Sequence, residues 1–208
     1  MKHKKALLAM VLALTLMLGV GVGGTAAWLA AKTTAVTNTF TYGDIKLRLE
    51  EHINGINGAT TTEGLTDLKL VPGVNVKKDP FVTVESGSEK CWAYVIVEEK
   101  NWPATDVTYA IDDTVWQEIK NASGVPEGAK LYGTQTLVDA SQGKEILNVL
   151  KDKQVVVETS LKKTPSTAQA PQLIFTAYAI QEGSWISAED AWKAVNNGGL
   201  SGDFVVSQ

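Results

Sequence analysis

The chain of 208 residues is poor in the residues that build most metal and acid–base sites, with one cysteine and two histidines. A single cysteine excludes an intrachain disulfide framework and every zinc or iron–sulfur site made of several cysteines. His3 lies in the first five residues, so His52 stands alone beyond them. No H-E-x-x-H helix is present, which removes the zinc-protease pattern. No serine sits in a G-x-S-x-G turn, which removes the hydrolase elbow. Basic charge is also short, with 19 Lys+Arg against 23 Asp+Glu and a net charge of −4. That balance argues against a nucleic-acid partner held by phosphate contacts. What remains is ordinary for a folded protein, 44% hydrophobic and 20% charged, so the chain is not disordered throughout.

The one long apolar run is at the start. Met1–Lys5 is basic, Ala6–Val22 carries no charge, and Gly23–Gly24–Thr25–Ala26–Ala27 is a run of small residues. This is the order of an export signal. Thr25 and Ala27 fall at the −3 and −1 positions of a cut before Trp28, where shallow peptidase pockets demand small side chains. Cuts after Ala30 or Ala31 are alternatives, and an uncleaved anchor is another. Cleavage after Ala27 removes Lys2, Lys4 and Lys5 and no acidic residue, so the net charge goes from −4 to −7. The sequence predicts a 1–27 signal peptide, a 28–41 N-terminal strand, a 42–185 β-sandwich domain and a 186–208 C-terminal helix and tail. The membrane is expected to be met only through the signal peptide before cleavage. No lipoprotein cysteine follows the signal and no LPxTG-type sorting motif appears. A secreted protein is expected, in the extracellular matrix or at the cell surface.

The remainder reads as strands. Thr39, Thr41, Ile45, Leu47 and Leu49 alternate, with a bend at Gly43. His52–Gly64 holds Asn-Gly twice and reads as a loop. Leu68–Val71 is stopped by the turn pair Pro72–Gly73. Phe81–Glu85 alternates. Cys91–Glu99 is apolar on both faces, which predicts a central strand covered on both sides. Val107–Ile111, Lys130–Val138, Gln154–Ser160 and Gln172–Gln181 are further strands, and Glu145–Asp152 fits either helix or strand. Ser187–Asp190 resembles a capping box ahead of Ala191, Trp192 and Val195, a short helix. The fold class expected is all-β, an antiparallel jelly-roll-like β-sandwich with a short C-terminal helix.

The chemistry available is thin. His52 reads as an exposed loop imidazole. Glu50–Glu51, Glu98–Glu99 and Asp112–Asp113 read as solvated faces and strand ends, and no EF-hand spacing surrounds them. Cys91 reads as a small buried hydrophobe. Trp92, Trp102, Trp116, Trp185 and Trp192 read as packing residues, with a sugar-stacking platform as the alternative. No catalytic, cofactor-binding or metal residue is expected.

Several segments together resemble one family. Gly23–Gly24–Thr25 with Ala27, then Val36–Phe40 and Gly43–Leu47, is similar to the start of the TasA/camelysin family of exported Gram-positive proteins. Leu70–Gly73 followed by Lys78–Phe81 resembles that family's L-x-P-G stretch. Leu173–Gln181, with Trp185 and Trp192 after it, resembles its last strand. The resemblance covers about two thirds of the chain, and residues 100–165 match only loosely. It implies a jelly-roll sandwich, a SipW-type signal peptidase as processing partner, and assembly by donation of an N-terminal strand to the next subunit in biofilm-matrix fibres. By position the donor segment is Trp28–Thr41. Ala35, Thr37, Thr39 and Thr41 face one way, and Val36, Asn38 and Phe40 the other. Pairing of this strand within its own sandwich is the alternative. The implied partners are a homopolymer of itself and an accessory matrix protein. Camelysin members are described as metalloproteases, and this chain departs from them in having a single histidine after the signal. A secreted sandwich that binds surface glycan or protein is the competing reading, ahead of a camelysin-like protease.

Overall fold

The computed structural model describes residues 44–53, 59–65, 68–161 and 170–197. Contacts divide the chain after Tyr42, and every described residue belongs to the second unit, which begins at Gly43. Eleven strands and one helix are found among these residues: β1 (Leu47–His52), β2 (Thr60–Thr61), β3 (Val76–Lys77), β4 (Pro80–Val84), β5 (Cys91–Lys100), β6 (Val107–Thr108), β7 (Trp116–Ile119), β8 (Lys130–Thr134), β9 (Glu145–Asn148), β10 (Gln154–Val157), β11 (Gln172–Gln181) and α1 (Ala188–Asn197). The strands make three antiparallel sheets, ordered β2-β1-β4-β9, β11-β5-β8-β7 and β3-β10-β6. The fold is all-β with a short C-terminal helix, a sandwich as expected.

β5 explains the layering. Its odd residues Cys91, Ala93, Val95 and Val97 pack with Leu47, Val82 and Val84 of the opposing sheet. Its even residues Trp92, Tyr94 and Ile96 pack with Ala188, Ala191 and Trp192 of α1. Period-two alternation of two apolar sets thus places β5 between a sheet and a helix. The helix is docked closely. Tyr94 Oη donates to the Ala188 carbonyl at 2.8 Å, and Trp192 Nε1 donates to the Ser123 carbonyl at 2.9 Å. A Cβ on Gly133 would lie 2.7 Å from that of Ala188, so the absence of a side chain lets the helix approach β8. The N-cap forms: Ser187 Oγ accepts from the Asp190 amide at 3.1 Å and donates to the Asp190 carboxylate at 2.7 Å.

Two expectations are corrected and one unforeseen strand is added. The segment from His52 to Gly64 is not all loop, because His52 ends β1 and Thr60–Thr61 returns as β2 beside it. Trp116–Ile119 is a strand that its own polarity hides: only Trp116 and Ile119 are buried while Gln117 and Glu118 face out. Lys130–Val138 stops early, at Thr134, with Val138 kept only by an isolated bridge to Cys91. The ambiguous 145–152 segment resolves into β9 and a 3-10 turn at Lys151–Lys153.

Candidate functional site

Two features stand out, a strand edge and a buried set of charges. β11 pairs with β5 along its whole length, from Gln172↔Lys100 to Gln181↔Cys91. The next pair out is hydrogen-bonded, Glu182 N–H to the Lys90 carbonyl at 2.7 Å. Bonded pairs alternate along an antiparallel ladder, so the even residues of β11 face β5. Leu173, Phe175, Ala177, Ala179 and Gln181 turn their N–H and C=O groups outward. β11 ends its sheet, and no described strand takes those groups up. From Leu173 to Ile180 the strand has no charged residue and no proline. Natural edges are normally short, charged or interrupted by proline, because a long apolar edge templates another strand.

The opposite side of the sandwich shows the usual protection. β7 and β9 are four residues each. Trp116 Nε1 donates to the outward carbonyl of Asn148 on β9 at 2.7 Å, which ties the two sheets together there. Ile111 bridges Leu150, and Asp112 N–H donates to the Val149 carbonyl at 3.0 Å.

The charged set lies where β1 meets the chain entering β4. Glu51 pairs in register with Pro80, which sets Lys78 and Asp79 beside the end of β1. Glu51 points inward with the core residue Leu47, and His52 points outward. Lys78 Nζ donates to both Glu51 oxygens, at 3.2 and 3.0 Å. The two side chains are only 11% and 5% exposed. The same ammonium lies 5.6 Å from the centre of the Phe175 ring on β11. His52 Nδ1 and Asp79 Oδ2 are 2.6 Å apart, the His52 backbone N–H donates to Asp79 Oδ1 at 3.3 Å, and the imidazole packs on Phe81 at 4.8 Å. Glu51 and Asp79 each have a hydrogen-bonding partner in the set, which closes on itself and fixes the β1–β4 junction.

This overturns two sequence readings. His52 is not an exposed loop residue, because its side chain is 18% exposed and bonded to Asp79. Glu51 is not a solvated strand end, because it is buried against Lys78. The reading of Cys91 holds: it is fully buried, and burial pushes its thiol up to about 11. Trp92, Trp116 and Trp192 are core residues, each at most 5% exposed. Trp102 and Trp185 are half-buried and packed against the two cores. The residues assigned to signal cleavage, Thr25, Ala27 and Trp28, and to strand donation, Ala35, Val36, Thr37, Asn38, Thr39, Phe40 and Thr41, lie outside the described residues. The outermost place of β11 among the described strands of its sheet and the Glu51–Lys78 pair escaped the sequence reading, since both depend on long-range register. The uncharged run of Leu173–Ile180 was the one local hint. No protein-family model, curated protein or solved structure matches the chain.

Proposed function

We propose that the chain is a secreted structural protein, a subunit of a biofilm-matrix or cell-surface fibre, and that it assembles by adding the N-terminal strand of one copy to β11 of the next. The observation that carries this reading is the β11 edge, ten residues long and paired by no described strand on its outer side, on a sandwich whose other side is tied shut. Strand addition supplies main-chain hydrogen bonds to such an edge and buries apolar side chains beside it. The Trp28–Thr41 segment, rich in Thr and holding Val36 and Phe40, has the composition of an added strand. The TasA/camelysin resemblance points the same way and adds a jelly-roll order, processing by a SipW-type peptidase and an accessory matrix protein. The charged set fits a structural role, since Glu51 and His52 are both engaged by neighbours rather than directed at a ligand.

Negative-stain microscopy and size exclusion of the processed chain from Trp28, with and without residues 28–41, test the reading. Fibres or an oligomer ladder that disappear on truncation are expected. A monomer at every concentration, with the segment present, overturns it.

A further inference from the structure

Two exposed apolar spots lie at opposite ends of β5, and strand addition to β11 uses neither. The first is a turn. Val71 and Val74 form an antiparallel bridge, so their side chains stand side by side, 47% and 54% exposed. Pro72 and Gly73 close the turn, with the Val74 N–H on the Val71 carbonyl at 2.9 Å and Gly73 at φ +74°. The turn is anchored to β10. The Gly73 N–H donates to the Val157 carbonyl at 3.1 Å, and a Cβ on Gly73 would lie 3.0 Å from Thr159 Cγ2. Just beyond the turn, the Lys78 ammonium lies over Phe175, which pairs with Val97 in the later half of β5.

The second spot is Ile186, 91% exposed. Its neighbours on both sides are fixed. Trp185 is half-buried against the α1 core, and its ring leaves no room for a Cβ on Gly183. Ser187 caps α1. Glu182, at the head of the same loop, donates its N–H to the Lys90 carbonyl at 2.7 Å, immediately ahead of β5. The ten residues of β5 span about 30 Å, which separates Ile186 from the valine turn. Both spots are presented on anchored backbone, which lowers the ordering cost of a contact.

The flanking charges are opposite in sign. From Leu68 to Lys78 the chain has three lysines and no acidic residue, and from Glu182 to Asp190 it has three carboxylates and no basic one. Lys69 and Lys77 are exposed, as are Glu182, Glu189 and Asp190. Lys193 holds Glu189 and Asp139 holds Lys90, so Glu182 and Asp190 keep the Ile186 end negative. A single exposed apolar residue is ordinary. These two are marked by rigid presentation and by flanking charge that each offers to the other. We propose that they are the two halves of one contact between copies of this chain, with Ile186 of one copy seated on the Val71–Val74 turn of the next. Different patches at opposite ends make a heterologous contact, which propagates head to tail instead of closing on a pair. The contact involves neither β11 nor residues 28–41, so it goes beyond strand addition.

Crosslinking of the processed chain tests this. Ile186→Cys and Val74→Cys are made as separate chains and treated with a short bismaleimide, each alone and then mixed, with products read on a denaturing gel. The native Cys91 is fully buried and stays out of the reaction. The mixture is expected to give a two-chain product that neither chain gives alone, and a chain carrying both cysteines a ladder. Lys69→Glu with Lys77→Glu in the Val74→Cys chain abolishes the product by setting like charges together. Glu182→Lys with Glu189→Lys in the Ile186→Cys chain restores it, a rescue that damage to the fold does not produce. Every substituted side chain is exposed, so the variants keep the parent's fold. Equal yields from the mixture and from either chain alone, no product at the highest soluble concentration, or no rescue by the reciprocal charges overturns the assignment. Fibres without the mixed product sink this contact and leave strand addition standing, whereas the mixed product from a chain that forms no fibres does the reverse.

Discussion

Replacing Lys78 with Met isolates the energetic core of the β1–β4 junction. Lys78 gives Glu51 two hydrogen bonds at 3.0 and 3.2 Å, and both side chains are nearly withdrawn from water. Solvent screening is therefore weak, unlike at a surface pair. The substitution leaves a carboxylate buried without its partner, which costs about 3–5 kcal/mol. Loss of the ammonium above Phe175 adds about 0.5–1 kcal/mol. A domain of this kind holds about 5–15 kcal/mol in all, so about a quarter or more of its stability is at stake. With a urea m-value of about 2 kcal/mol/M, the midpoint falls by about 1.8–3 M. The assay is urea unfolding of the processed chain followed by tryptophan fluorescence. The paired variant Glu51→Leu with Lys78→Met removes the stranded charge and recovers at least about 2 kcal/mol of the loss, because apolar replacement of a whole buried pair is near neutral. A single variant losing under about 1 kcal/mol, or a paired variant no better than the single one, refutes the reasoning.

Other substitutions check the remaining packing. Gly133→Ala drives a methyl against Ala188 and the Ile119 side chain and costs about 1–3 kcal/mol in thermal or urea unfolding. Ser187→Ala removes the cap of α1 and costs about 1 kcal/mol by the same measurement. Cys91 resists alkylation in the native protein and reacts once urea unfolds it. Its folded thiol is raised from 9.0 to about 11 by burial. The unfolded thiol ionises first, so this contribution is intact below pH 9 and is lost as pH rises from there through 11. Cys91→Ala flattens that alkaline decline in a comparison of urea midpoints across pH.

The elements legible in the sequence were those whose pattern is local. β5 and β11 were found nearly to the residue because each is a ten-residue run of strand formers ended by turn residues. α1 was found because Ser187 and Asp190 are the cap itself. β7 was missed because its two inward residues are separated by two polar ones, so it shows no alternation. The charged set was invisible for a different reason. Glu51, His52, Lys78 and Asp79 are ordinary surface residues until the β1–β4 register brings them together. His52 in particular follows a strand and precedes an Asn-Gly loop, and nothing nearby in sequence announces Asp79. The open edge is likewise a property of sheet order and not of any one segment.

That edge carries the central claim, and the register allows a direct test. The Ala177 N–H points outward and the Thr176 N–H points to β5. Proline is tolerated on an edge strand where the N–H faces solvent and not where it serves the ladder. Ala177→Pro therefore removes one donor from the accepting edge while leaving the β11–β5 pairing in place. Thr176→Pro breaks the ladder itself and destabilises the fold. The decisive measurement is electron microscopy and size exclusion of the Ala177→Pro chain beside the parent, with tryptophan fluorescence to monitor the fold. The account predicts fibres from the parent, and from Ala177→Pro a monomer with the parent's fluorescence. Fibres from Ala177→Pro equal to the parent's contradict it.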